Sequence, residues 1–295
     1  MLASRYALAP ILAISTEAIA METGSGQTAG PGRFEVLREA VYRVPGELTS
    51  LATYPWRASD DFLKASLGIG ALILLDKPLT RAYQRHIEEP LSGFRVSDAP
   101  GPFKTVGTGG TDGWLLLGVS GTYLGGLATG DVRAQRAGLA AAKSITYSVL
   151  ISQVLLKTAF GRKRPTQPLG EAQPDRTYTD NPLDFGNRRE SYFSSHQYAS
   201  SFPSFHVTAW FAAAKVYEQA YGNAWLPYGL LTVGLASDIK GHRHWVSDMV
   251  AGALLGTLIG SAVSQGYFDS DDRPGWRVDA GVSGEGTQIR LNYTF

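Results

Sequence analysis

The chain contains no cysteine. Disulfides, thiol nucleophiles and cysteine-held zinc are therefore excluded, while an oxidising compartment is tolerated. A dominant charge is missing too: 27 Lys and Arg stand against 26 Asp and Glu in 295 residues, so no net field draws nucleic acid. No stretch is apolar without interruption for the roughly twenty residues that a membrane-crossing helix needs. The apolar segments, such as 114–128 and 250–263, are short and rich in Gly and Ala. They predict a soluble or membrane-surface protein, with Gly252, Gly256 and Gly260 available for close helix packing. Neither Gly-x-x-x-x-Gly-Lys-Ser/Thr nor His-Glu-x-x-His occurs, which removes two common routes to phosphate and zinc chemistry.

Residues 1–20 read as a secretory signal peptide. Arg5 supplies a short positive start, residues 6–14 an apolar run, and Ala18-Ile19-Ala20 a small-x-small cleavage pattern. Export to the periplasm, with association at a membrane surface, is the expectation. Beyond a weakly amphipathic 34–44, helical patterning covers 65–75, 114–128, 132–157, 205–221, 226–236 and 247–264. This predicts an all-α bundle of about six core helices. Asp76-Lys77-Pro78 is expected to stop the first of them, because an interior proline loses a helix hydrogen bond. Asp131 is the expected N-cap of 132–157.

Residues 98–113 read as loop, as does the turn-rich 166–202. A loop as long as the second is usually functional, and Arg176, Tyr178, Arg188, Arg189 and Tyr192 make it a candidate lid. At the C-terminus, Trp276, Val278, Ala280 and Val282 alternate with polar or small residues. So do Ile289, Leu291, Tyr293 and Phe295, beyond Ser283-Gly284-Glu285-Gly286. The period of two predicts a small β-hairpin packed on the bundle. The expected organisation is a signal peptide over 1–20, a helical domain over 21–268 and a hairpin extension over 269–295.

Three short segments combine residue types that suit phosphate. In the first, Lys157 ends an apolar helix and Arg164 follows, held extended by Pro165. Cations at a helix C-terminus are favoured by its dipole alone, so by itself this segment signals only capping. In the second, Ser201-Phe202-Pro203-Ser204-Phe205-His206 opens an apolar helix. Ser204 is a natural N-cap, and the free N–H groups after it form an anion site beside His206. In the third, His244 and Asp248 lie four apart and meet on one face if the chain is helical from Trp245. A carboxylate on one imidazole nitrogen fixes the tautomer and leaves the other nitrogen free to attack.

Lys157, six residues, Arg164-Pro165; then Pro203-Ser204-x-His206; then Ser237, six residues, His244, three residues, Asp248: this order and spacing resemble the type-2 phosphatidic-acid phosphatase and vanadium haloperoxidase superfamily. The resemblance implies an exported phosphatase that needs no metal or other cofactor. It would act on a phosphate monoester or a lipid (di)phosphate through a phosphohistidine. His244 would attack phosphorus and Asp248 orient it. His206 would protonate the leaving oxygen and then activate water. Lys157, Arg164, Ser204 and the Phe205 backbone N–H would hold the phosphoryl oxygens.

Two positions depart from the pattern. Phe205 stands where the family usually has glycine, and Asp238 where it usually has a phosphate-binding arginine. Asp238 is expected to face away from the phosphate, with Lys240, His242 or Arg243 as substitute donors. Two other functions fit the same residues: a haloperoxidase holding vanadate on His244, or a non-catalytic module that binds a phosphate or a lipid.

Overall fold

The computed structural model describes residues 33–105, 110–171, 178–187, 199–237 and 239–268, and the backbone of 275–283 and 286–294. The chain divides after Gly30, and the fold below is that of the second unit. The expected signal peptide lies outside the described residues. So do Asp238 and parts of the candidate lid, including Arg176, Arg188, Arg189 and Tyr192.

The architecture is an all-α bundle with a small β element. Helices α1 (Arg33–Tyr42) and α2 (Val44–Arg57) lead into α3 (Ser59–Tyr83), which widens into a π-helical turn at Gln84–Glu88. A 3-10 turn at Gly101–Thr105 precedes α4 (Gly110–Thr129). Next come α5 (Val132–Ser148), a π-helical stretch (Val149–Leu156) and the short α6 (Lys157–Phe160). The second half holds α7 (Phe205–Tyr221), α8 (Trp225–Ala236), α9 (Ile239–His242) and α10 (Val246–Ser264). Strand β1 (Arg164–Pro165) pairs in parallel with β2 (Tyr178–Thr179). Strands β3 (Gly275–Ser283) and β4 (Gly286–Thr294) form the antiparallel hairpin read from the alternation. Its register sets Trp276 opposite Tyr293, Val278 opposite Leu291 and Ala280 opposite Ile289, so the apolar positions pair directly. The side chains of this ribbon, and with them its expected packing on the bundle, lie outside the described residues.

Local chemistry accounts for most of the boundaries. Asp131 caps α5 as expected, its carboxylate accepting from the Ala134 N–H at 3.1 Å. Gly161 ends α6 in the left-handed region, with φ 52°, and its N–H closes on the Lys157 carbonyl at 2.9 Å. The expectation at Pro78 is corrected: α3 runs straight through it. A proline inside a helix costs roughly 3 kcal/mol, but tertiary bonds hold this helix on both sides of the proline. Asp76 accepts from the Ser247 N–H at 2.9 Å, and the Thr80 hydroxyl accepts from the Val246 N–H at 3.2 Å. The expected loop at 98–113 is also partly helical, through the 3-10 turn and the first turn of α4.

The core is built from small residues where α4, α5, α7 and α10 meet, including Ala137, Ala140, Ala212, Ile259 and Val263. Helices α7 and α10 pack almost backbone to backbone. A Cβ at Gly252 would lie 2.7 Å from the Ser204 carbonyl oxygen, and one at Gly260 would lie 2.5 Å from that of Ala212. Between them, a Cβ at Gly256 would collide with the Thr208 carbonyl. This stripe brings the N-termini of α7 and α10 together, and the Ser204 N–H donates to the Asp248 carbonyl at 3.0 Å.

The outer faces are apolar as well. Trp225 is 90% exposed and Leu74 70%, with Leu67, Leu124 and Leu155 similarly open. Two helical stretches, Val132–Phe160 (29 residues) and Val246–Ser264 (19 residues), are long and apolar enough to cross a bilayer. Neither is the unbroken apolar run that the sequence also lacks.

Gly256→Val is expected to destabilise the fold by about 1–3 kcal/mol through overpacking against the α7 backbone. Denaturant unfolding measures this, and an unchanged midpoint would mean that the two helices are not in register at Gly256.

Candidate active site

The site begins with the reversal at Gly161. The chain leaves α6 there, and Arg162, wholly buried, turns into the bundle. Its guanidinium reaches two buried carboxylates on different helices. One nitrogen donates to Asp248 Oδ1 at 2.6 Å and to Ser247 Oγ at 2.7 Å. The other donates to Asp76 Oδ2 at 2.7 Å and to the Pro182 carbonyl at 2.7 Å. The rings of Phe185 and Trp245 lie 4.8 and 5.1 Å from the guanidinium carbon. The planar fork of arginine suits this bridging role, which an ammonium could not fill in the same way.

Asp248 is saturated by its neighbours. Beyond Arg162, it accepts from Ser201 Oγ at 2.5 Å and from the Trp245 backbone N–H at 3.0 Å. So fixed, it faces His244, whose Nδ1 lies 3.4 Å from Asp248 Oδ2. The other ring nitrogen, Nε2, lies 3.2 Å from Nη1 of Arg164. A guanidinium can only donate, so Nε2 carries the lone pair and Nδ1 carries the proton. Burial, then Arg164, Lys157, His242 and His206, hold His244 well below its ordinary imidazole range. The ring is therefore neutral and oriented, with its lone pair turned to the Arg164 guanidinium.

Those electrostatic partners draw the three sequence motifs into one place. Lys157 is buried at the end of the interrupted α5–α6 helix. The nitrogen of Arg164 that meets His244 also donates to the His242 carbonyl, and its second nitrogen donates to the Ser200 carbonyl at 3.2 Å. The His206 ring sits 4.6 Å from that of His242. Ser204 holds the expected N-cap position of α7, without a side-chain capping bond. The Phe205 ring lies 5.6 Å from that of His206, beside the helix start.

Lys240 and Arg243, the expected substitute donors, are directed elsewhere. Lys240 pairs with Glu89 at 2.7 Å, and the Arg243 guanidinium stacks 4.4 Å above the Tyr178 ring. The structure therefore leaves Lys157 and Arg164 with the three histidines and does not add these two. Asp238 lies outside the described residues.

Four contributors went unread in the sequence. Asp76, Arg162 and Ser201 form the support behind Asp248. Asp112, in the first turn of α4, lies 3.3 Å from Nε2 of His206. A lone carboxylate beside the apolar run 65–75 was an available signal for Asp76. Asp112 gave none, because 98–113 read as loop.

Arg162→Met would leave two carboxylates buried without their cation and is expected to cost about 3–5 kcal/mol of folding stability. Arg162→Lys keeps the charge but not the fork and is expected to recover only part of that loss. Equal stability of wild type and Arg162→Met in urea unfolding would contradict the bridging role.

Residues 137–272 match the family described as the PAP2 superfamily. Lipid A 1-phosphatase of Porphyromonas gingivalis is 35% identical over 98 residues, which are 30% of this chain and 21% of that protein. The chain thus spans about a fifth of that relative's length. No solved structure gives a significant match. The matched region contains Lys157, Arg162, Arg164, His206, His244 and Asp248, whereas Asp76 and Asp112 lie before it. The comparisons therefore support a PAP2 superfamily domain over residues 137–272.

Proposed function

We propose that the chain is an exported, membrane-associated phosphatase that hydrolyses a phosphorylated lipid through a phosphohistidine on His244. One observation carries this reading: a neutral, carboxylate-backed imidazole turns its lone pair toward Arg164, with Lys157, His206 and the N-terminus of α7 beside it. A phosphoryl group there meets a nucleophile on one side and fixed positive donors around it. The relative's name, lipid A 1-phosphatase, supports a phosphorylated lipid as substrate, and the exposed apolar helix faces support a membrane location. The signal-peptide pattern in residues 1–20 supports export.

On this reading, His244 Nε2 forms a bond to phosphorus as the bond from phosphorus to the leaving oxygen breaks. This attack requires that Arg164 has first moved its hydrogen bond from Nε2 to a phosphoryl oxygen of the bound substrate, which frees the lone pair. Asp248 balances the positive charge that develops on the ring. His206 gives its proton to the leaving oxygen, then takes one from the water that attacks the phosphohistidine and releases inorganic phosphate. Asp112 is a positioning residue for His206. Lys157, Arg164 and the α7 amides supply charge stabilisation that magnesium provides in other phosphoryl transfers, so turnover is expected to persist in EDTA.

The first test is hydrolysis of p-nitrophenyl phosphate and alkyl phosphates in EDTA by wild type and His244→Ala. A loss of about 10³-fold or more, with acid-labile labelling of wild type alone by ³²P-substrate, is expected. Unimpaired turnover by His244→Ala would refute the mechanism.

The second test is Asp112→Asn. An alkoxide needs protonation to leave and p-nitrophenolate does not. The variant is therefore expected to lose about 10²-fold on alkyl phosphates and less than about tenfold on the nitrophenyl ester. Equal losses on both substrates would assign Asp112 a purely structural role.

A further inference from the structure

A cavity of about 810 Å³ lies between α4, α7 and α8, away from the charged cluster of the site. That volume falls in the range of small-molecule binding sites. None of its lining residues carries a charge. Its walls continue the helix faces that bear Asp112 and His206. On α4, Leu115 lies three residues after Asp112 and lines the cavity, while Thr111 adjoins Asp112. On α7, Trp210 lies one turn beyond His206, and Ala213, Ala214 and Tyr217 continue the same wall. A chain of methylenes attached to a headgroup beside Asp112 and His206 would thus find uncharged walls within one helical turn along α4 and α7.

Two further observations point to an amphiphilic occupant. The indole N–H of Trp210 is buried and has no hydrogen-bond partner among the described residues. A buried donor left unpaired is costly unless a ligand supplies an acceptor, such as an ester or amide carbonyl near the head of an acyl chain. The α8 residues Leu226 and Leu230, which line the cavity, are also 66% and 58% exposed, and Trp225 beside them is 90% exposed. The cavity therefore borders an apolar outer face, from which a lipid tail can enter without crossing water.

We infer that the cavity bounded by α4, α7 and α8 is the seat of one acyl chain of the phosphorylated lipid whose phosphate is held at His244. The inference rests on the phosphatase reading for the position of the headgroup and goes beyond it in assigning the tail. It also rests on α4, which lies outside the matched family region.

The test is a series of straight-chain alkyl phosphates from butyl to hexadecyl, each below its aggregation concentration. Each buried methylene is expected to raise kcat/KM about fourfold until the cavity is filled. Gly118 lines the cavity, and a Cβ there would meet nothing within 4 Å, so Gly118→Trp places bulk in the channel without displacing backbone. The ratio of kcat/KM for hexadecyl to that for butyl phosphate is expected to fall at least tenfold in Gly118→Trp. Because it is a ratio, it is insensitive to the fraction of protein folded. An unchanged ratio, or no chain-length dependence in wild type, would overturn the inference.

A second arm needs no turnover: hexadecyl phosphate carrying a diazirine at its chain end is photo-crosslinked to wild-type protein. Label within 114–122 or 226–234 supports the cavity, and label confined elsewhere overturns it. Label in the cavity with no hydrolysis of any phosphate would refute the phosphatase reading and leave the tail site standing.

Discussion

The bridge from Arg162 to Asp76 and Asp248 is the constraint on which the rest of the site depends. A buried guanidinium with two buried carboxylates is a poor way to gain stability, because the desolvation of three charges opposes their attraction. What the arrangement provides is position. Asp76 ties α3 to the start of α10 through Ser247, and Arg162 ties both to the segment that follows α6. Asp248 is consequently held by donors from three separate parts of the chain before it meets His244. A ring 3.4 Å from such a carboxylate has one sensible tautomer, and that tautomer turns its lone pair toward Arg164.

The same bridge explains why the sequence was legible in some places and not in others. Helix periodicity marks α7, α8 and α10 closely, because their inner faces pack on a common core and their ends are local events. Asp131 caps its helix as read, since a cap needs only neighbours within four residues. Pro78 misled for the opposite reason: local propensity says stop, but bonds from Ser247 and Val246, some 170 residues away, hold the helix through it. The motif spacings single out His244, Asp248, His206, Lys157 and Arg164, because each stands at a fixed offset in one short segment, and the structure gathers them in one place. Asp76 and Asp112 have no such offset, and Ser201, though inside the second segment, shows its role only through Asp248 on another helix. Their positions follow from helix contacts that exist only once the bundle is assembled.

Lys240 and Arg243 illustrate the converse. Proximity to His244 in the sequence made them reasonable donors. Nearby Glu89 and Tyr178, brought in by the π-helical turn and by β2, engage them instead. Two cations close in sequence to a phosphate pocket need not belong to it when acidic and aromatic partners lie nearer. Their engagement also leaves the 239–243 segment anchored to the neighbouring elements, and His242, between them, stays beside His206.

Electrostatics then separates the interior into two media. Around His244, burial first and then the neighbouring Arg164, Lys157, His242 and His206 hold the ring well below the ordinary imidazole range. Around Trp210, no charge enters the lining at all. The two regions meet at the first turns of α4 and α7, where Asp112 and His206 face one another. An amphiphile placed across that boundary would find an ionic environment for its headgroup and an uncharged one for its tail. A small, fully polar phosphate ester would gain from only the first. The glycine stripe of α10 makes this division possible, because close approach of α7 to α10 brings their N-termini together beside His244 and His206. The opposite face of α7 remains free to wall the cavity with α4 and α8.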